Sequence, residues 1–131
     1  MSIPSTEFVV REFWRLMSSN DFYSVGAVLS PSFSLEWPQS NERIRGADNF
    51  ARMNTDYPSK APWSFTIQRL VASGTEVVTH VAVTDGHLSA EAISFFSLSE
   101  GLITKIVEFW PEHYSAPTNR KHLTEPITPI P

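Results

Sequence analysis

A chain of 131 residues that is 41% hydrophobic carries enough apolar side chains for one domain with a real core and too few for two. Its formal net charge of −4, without any long basic run, argues against the phosphate-neutralising surface of a nucleic-acid-binding protein. Lack of cysteine removes disulfides, a thiolate nucleophile and cysteine-based zinc sites, and no stretch approaches the roughly 20 apolar residues of a membrane span, so a leaderless cytoplasmic protein without a membrane partner is expected.

Along the chain, Ser5 is placed to cap a helix that starts near Thr6, because Val9, Phe13, Leu16 and Met17 recur at helical spacing with Val10 and Trp14 beside them. Asn20 and Asp21 break that pattern, and Asp21 offers a cap for a second short helix over residues 22–29, whose stripe is Phe22, Val25, Val28 and Leu29. Pro31 is expected to end it. Phe33, Leu35 and Trp37 then alternate as in a short strand, before Pro38 and the polar residues 39–42 turn the chain. Gly46 marks a boundary, and Phe50 and Met53, roughly in line with Ala47 and Tyr57, predict a third helix stopping at Tyr57-Pro58.

From residue 63 onward the pattern is one of long strands, over 63–73, 76–84, 87–98 and 102–110. Ser73-Gly74-Thr75, Asp85-Gly86 and Glu100-Gly101 separate them as short glycine-bearing turns, the signature of an antiparallel meander. Helices followed by a run of strands imply an α+β fold, with helices covering one face of a curved sheet. Residues 1–115 read as one domain. The remainder, 116–131, is rich in proline, threonine and charge and reads as an extended arm with too little apolar surface for another element.

The sharpest chemical clue lies on the last strand, where Leu102, Thr104, Ile106, Glu108 and Trp110 share a face by alternation. A carboxylate among apolar neighbours must be neutralised, paired or held in a polar cavity. Alternation also places His80, Ala82 and Thr84 of one strand with Ala92, Ser94 and Phe96 of the next on the concave face. Hairpin counting sets Ser94 opposite Glu108, with His80 one strand further on, so the three are expected to share a cavity. A histidine and a partly buried glutamate suit proton abstraction and return on a carbonyl-bearing substrate. Trp14, Trp37, Phe50, Phe96 and Trp110 supply apolar walls for a small apolar or aromatic ligand.

Plainer readings stand beside these. Glu108 is equally a structural group paired to an arginine or to a tryptophan indole N–H, His80 a satisfied core histidine, and Trp37 and Trp110 packing residues. Arg43 and Arg45 before Gly46 read as a solvated turn with salt bridges in preference to an anion site. The segment Trp110-Pro-Glu-His-Tyr114 reads as strand termination by Pro111 followed by packing of Tyr114, in preference to a pocket rim or lid. His87, His113 and His122 show no metal-ligand spacing, and neither metal nor cofactor is expected. On the reverse sheet face, Ile93, Phe95, Val107 and Phe109, with Val77, Val81 and Val83, form an apolar surface that needs a second cover. A homodimer through that convex face answers the need.

The order of these elements, with the Arg43-Ile-Arg-Gly46 turn before the third helix and the strand-final Ile106-Val-Glu-Phe-Trp110, resembles the SnoaL-like branch of the nuclear transport factor 2-like superfamily over roughly residues 6–114. The resemblance implies a cone-shaped α+β barrel, a deep pocket between helices and concave sheet, and commonly a homodimer. Members include isomerases, dehydratases, cyclases and epoxide hydrolases as well as non-catalytic binding domains. Ketosteroid isomerases of this frame use a strand aspartate as base, with a tyrosine and a protonated aspartate as oxyanion donors. Phe13, Trp37 and Ser94 stand at those places here, which disfavours that chemistry. Nor do interior positions supply the Asp-Arg-Asp set of the epoxide hydrolases or the paired histidines of scytalone dehydratase. The functional expectation is a small-molecule pocket protein, an isomerase, cyclase or dehydratase using Glu108 and His80. Its alternative is a non-catalytic ligand-binding or dimerisation module.

Overall fold

Ser5 Oγ accepts the backbone N–H of Phe8 at 3.1 Å and opens helix α1, Thr6–Ser18, which buries Val9, Val10, Phe13, Trp14 and Met17 along one face. The computed structural model describes residues 2–128. After α1 the expected second helix is a 3₁₀ helix, Phe22–Val28, and Asp21 makes no capping bond through its side chain. Seven residues with Gly26 among them gain little from α-helical bonding, and the tighter turn suffices.

Strand β1, Leu29–Trp37, begins earlier than Pro31 allowed for. Its pairing with the last strand jumps from Leu29–Ile103 to Ser34–Lys105, so the proline, which has no N–H to give, lies where the ladder is interrupted. The supposed turn at Arg43 is strand β2, Glu42–Arg45, antiparallel to β1. Arg43 there bonds Glu36 across the hairpin at 2.8 Å. Helix α2, Ala47–Asp56, follows and buries Phe50 and Ala51.

The meander comprises β3 Ser64–Ser73, β4 Glu76–Thr84, β5 Ser89–Ser99 and β6 Leu102–Phe109. All six strands form one sheet in the order β2-β1-β6-β5-β4-β3, closed in the middle by a parallel β1–β6 pair. Glu100 and Gly101, at φ 52° and 76°, form the two-residue turn between β5 and β6, a left-handed pair that matches strand twist. Irregularities at Gln68 on β3 and Thr104 on β6 interrupt the register. Such bulges bend a sheet.

On the concave side Val77, Thr79, Val81 and Val83 of β4 join Ala92, Ser94, Phe96 and Leu98 of β5, all buried against the helices. Phe13 makes edge contacts to Trp14 and Phe96, with ring centroids 4.9 and 5.3 Å away. His80, Ala82 and Thr84, expected on this face, lie on the other, and Val77, Val81 and Val83, expected on the convex face, fill the core. Register is the cause. Thr84 pairs with Ser89 across a four-residue loop, and a loop with an even number of residues always sets an even position opposite an odd one, so Thr79 faces Ser94 and His80 faces Ile93.

Residues 111–128 are exposed. They include a short 3₁₀ helix, Thr118–Leu123, where only extended chain was expected, and Tyr114 is 80% exposed instead of packed. Residues 129–131 of the expected arm lie outside the described residues.

Candidate functional site

Glu108 reaches the concave face because of the bulge in β6. The β5–β6 turn pairs Ser99 with Leu102 and Leu98 with Ile103, which would leave even positions facing odd ones. Thr104 is then the extra residue, and beyond it Phe96 faces Ile106 and Ser94 faces Glu108. Thr104 secures the irregularity by donating from Oγ1 to the carbonyl of Ser97 at 3.0 Å. A bulge of this kind re-aims every following side chain, and here it turns a carboxylate into the interior.

That carboxylate is 6% exposed and engaged through both oxygens. Oε1 accepts the indole N–H of Trp37 at 3.1 Å and that of Trp110 at 3.0 Å, and Oε2 accepts the Ser94 hydroxyl at 2.7 Å. Of the two structural alternatives for Glu108, the indole partner is the one realised. Burial pushes the carboxyl's pKa above the usual glutamate value, against the downward pull of the Ser94, Trp37 and Trp110 hydrogen bonds. Trp110 is itself held by its backbone N–H, which donates to Gln39 Oε1 at 2.7 Å. On β4, beyond Ser94, Trp14 donates its indole N–H to Thr79 Oγ1 at 3.2 Å. Thr79, Ser94 and Glu108 thus form a buried polar row across three strands, and three tryptophans donate to it.

Above this row lies a cavity of about 500 Å³. Glu108, Trp14, Trp37, Phe50 and Trp110 line it, as do Phe13, Met17, Met53, Asn54, Trp63, Phe65, Val83 and Ala90. Gln39, Ser40, Tyr57, Leu88 and Glu112 are exposed lining residues and form its rim. The remaining expected residues lie elsewhere. Ser94 is fully buried beneath Glu108, and Phe96 is a core residue stacked edge-on against Phe13 and Trp14. His80 is on the convex face, its Nε2 2.7 Å from Glu91 Oε1, and shares no cavity with Glu108. Thr79 was missed, because its place opposite Ser94 requires the four-residue loop 85–88, whereas the two-residue Asp85-Gly86 turn sets Val77 there. Gln39 and Asn54 carry no local sequence signal, since loop and helix-end polar residues are common everywhere on a surface; Glu112 belongs to the segment 110–114, where the rim reading set aside above is the one found.

Among the described residues no cluster of three metal-ligating side chains occurs, and no helix is long and apolar enough to cross a membrane.

A cavity enclosed between N-terminal helices and the concave side of a bulged α+β sheet defines the nuclear transport factor 2-like class of proteins. Residues 10–106 match the model of the SnoaL-like domain, and the chain belongs to that family. A Kribbella flavida protein that carries the provisional name ketosteroid isomerase is 30% identical, over 95% of this chain and 90% of that one, with a TM-score of 0.86. An NTF2-like protein of unknown function from Burkholderia xenovorans is 20% identical over 94% and 95% of the two chains, with a TM-score of 0.77. A Jannaschia protein provisionally named a SnoaL-like polyketide cyclase is 14% identical over 84% and 91%, with a TM-score of 0.70. At such identities the last two show the fold alone. No curated protein matches the chain in sequence.

Proposed function

We propose that the cavity binds a small, largely apolar, carbonyl-bearing molecule and that Glu108 exchanges a proton with it, as a single-carboxyl isomerase, cyclase or dehydratase would. The observation that carries this reading is the acceptor count at Glu108. A carboxylate offers about four lone-pair positions; two indoles occupy Oε1 and one hydroxyl occupies part of Oε2. One position on Oε2 is left. Donors that only donate fix Oε1 as an acceptor, so the proton of the neutral acid resides on Oε2. A raised pKa brings such a group towards neutrality, where a proton is both taken and returned efficiently. The name of the Kribbella flavida relative fits proton transfer beside a carbonyl, but Phe13, Trp37 and Ser94 supply neither the phenol nor the carboxyls of a ketosteroid isomerase site. Any such chemistry here runs through Glu108, without His80.

A non-catalytic ligand-binding role is the second reading, favoured by the lack of a second deep acid or base in the lining among the described residues. Hydrogen–deuterium exchange of 2-tetralone, followed by NMR in D₂O, separates the two. Proton exchange at the carbons beside the carbonyl should run faster with the protein than with matched acetate, and Glu108→Gln should slow it by roughly two to four orders of magnitude. The fold should survive this substitution, because an amide oxygen still accepts both indoles and the amide nitrogen donates to Ser94 Oγ. Binding without exchange in the native protein assigns the ligand-binding role.

The convex face motivates a homodimer as a further part of this proposal. Phe95 is 43% exposed there, in edge contact with Phe109 at 6.2 Å, beside half-buried Ile93 and Val107. Light scattering at micromolar concentration should give twice the monomer mass, and Phe95→Asp should shift it to monomer by burying an unpaired charge. A native monomer at all concentrations would remove the dimer.

A further inference from the structure

The charge and the aromatic content of the cavity say more about the ligand than its shape does. All four tryptophans of the chain line it, together with Tyr57 and three phenylalanines. Its charged lining consists of Glu108 and Glu112, and among the described residues no lysine, arginine or histidine contributes, although the chain has ten Lys and Arg and four His. The indole N–H groups of Trp14, Trp37 and Trp110 are already given to Thr79 and Glu108. What these rings retain for a ligand is the π face, the negative end of the aromatic quadrupole. An anionic ligand would therefore meet two carboxyl groups and no donor cation.

Resting on the reading of this cavity as a ligand site, we infer that its natural ligand is an organic amine, protonated at neutral pH and carried on a flat apolar body. The ammonium sits on the Glu112 side of the rim, with the aromatic lining for its apolar body, and the uncharged end reaches Glu108. Three observations place it so. Glu108 is deep and already engaged by two indoles and a hydroxyl, whereas Glu112 is exposed on the rim and has no ion-pair or hydrogen-bond partner among the described residues. Tyr57 and Trp63, which line the same cavity, stand edge to face with centroids 6.2 Å apart. A cavity that offers an ammonium both a counter-charge and aromatic faces favours it over an uncharged or anionic head.

The test is a matched series on the intact protein by titration calorimetry: 2-naphthylmethylamine, 2-naphthylmethanol and 2-naphthoate share one apolar body and differ in charge. The amine should bind at least about tenfold more tightly than the alcohol, the size of one partly desolvated cation–π contact, and the naphthoate more weakly than either. Glu112→Gln should cut the amine's advantage about threefold, the share of an exposed counter-charge, with the alcohol's affinity as the control. Should the alcohol bind as tightly as the amine, the charge inference is overturned and the ligand cavity stands. If the amine's advantage is undiminished in Glu112→Gln, the rim placement is wrong. Failure of all three to bind at millimolar concentration would remove the ligand site itself, and the inference with it.

Discussion

Glu108 on β6 and Glu91 on β5 are glutamates of neighbouring strands in one sheet, turned to opposite faces. Glu91 meets His80 on the convex side, where their side chains are 41% and 24% exposed, and water screens the pair. Glu108 meets no cation. Two indoles and a hydroxyl, all uncharged, surround it at 6% exposure. A partly exposed contact of this kind is worth about 0–1 kcal/mol, so the convex pair is replaceable. The concave carboxyl, by contrast, is held by donors that leave its proton affinity to be set mainly by burial. Strand glutamates thus acquire different chemistry from the face they occupy, and the bulge at Thr104 decides which face Glu108 takes.

The largest expected effect breaks this contrast at the proton. Glu108→Gln lowers the 2-tetralone exchange rate by roughly two to four orders of magnitude, whereas His80→Ala leaves it within about twofold. An equal loss from His80→Ala would reconnect the two faces. Core packing gives the next contrast. Phe96→Ala should cost about 3–5 kcal/mol in urea unfolding, because its ring is wholly buried between Phe13 and Trp14. The adjacent Phe95→Ala, measured in the dissociated monomer, should cost about 1 kcal/mol or less.

Much of this architecture is legible before any coordinates. Ser5 caps α1, β4 matches the expected 76–84, and the glycine-bearing turns bound the meander, because capping, alternation and positive-φ turns are local properties of the chain. Glu108 stands out for the same reason, as a carboxylate among apolar neighbours, and the Ser94–Glu108 pair is expected and found. That success is partly accidental. A two-residue turn alone would have set even against odd, and only the unforeseen bulge at Thr104 restores the pairing. His80 failed through the same parity: the valines at 77, 81 and 83 are the stronger apolar set, and hydrophobic burial chose them for the core. The parallel β1–β6 pair and the β2 hairpin, which bring Trp37 to Glu108, depend on long-range pairing that no local pattern announces.

The raised pKa also has a sign in stability. A folded carboxyl that holds its proton more tightly than in the unfolded chain contributes stability that is fully present below the ordinary glutamate value of 4.5 and is lost as pH rises through the higher folded value. The most direct measurement is an NMR titration of the Glu108 side-chain carboxyl, with the Trp37 and Trp110 indole N–H signals followed in the same samples. The carboxyl should titrate above 4.5, both indole signals should shift with the same midpoint, and Glu108→Gln should abolish that indole transition. A carboxyl that ionises at or below 4.5, or indole signals indifferent to its ionisation, would contradict the buried, indole-held proton site on which the account rests.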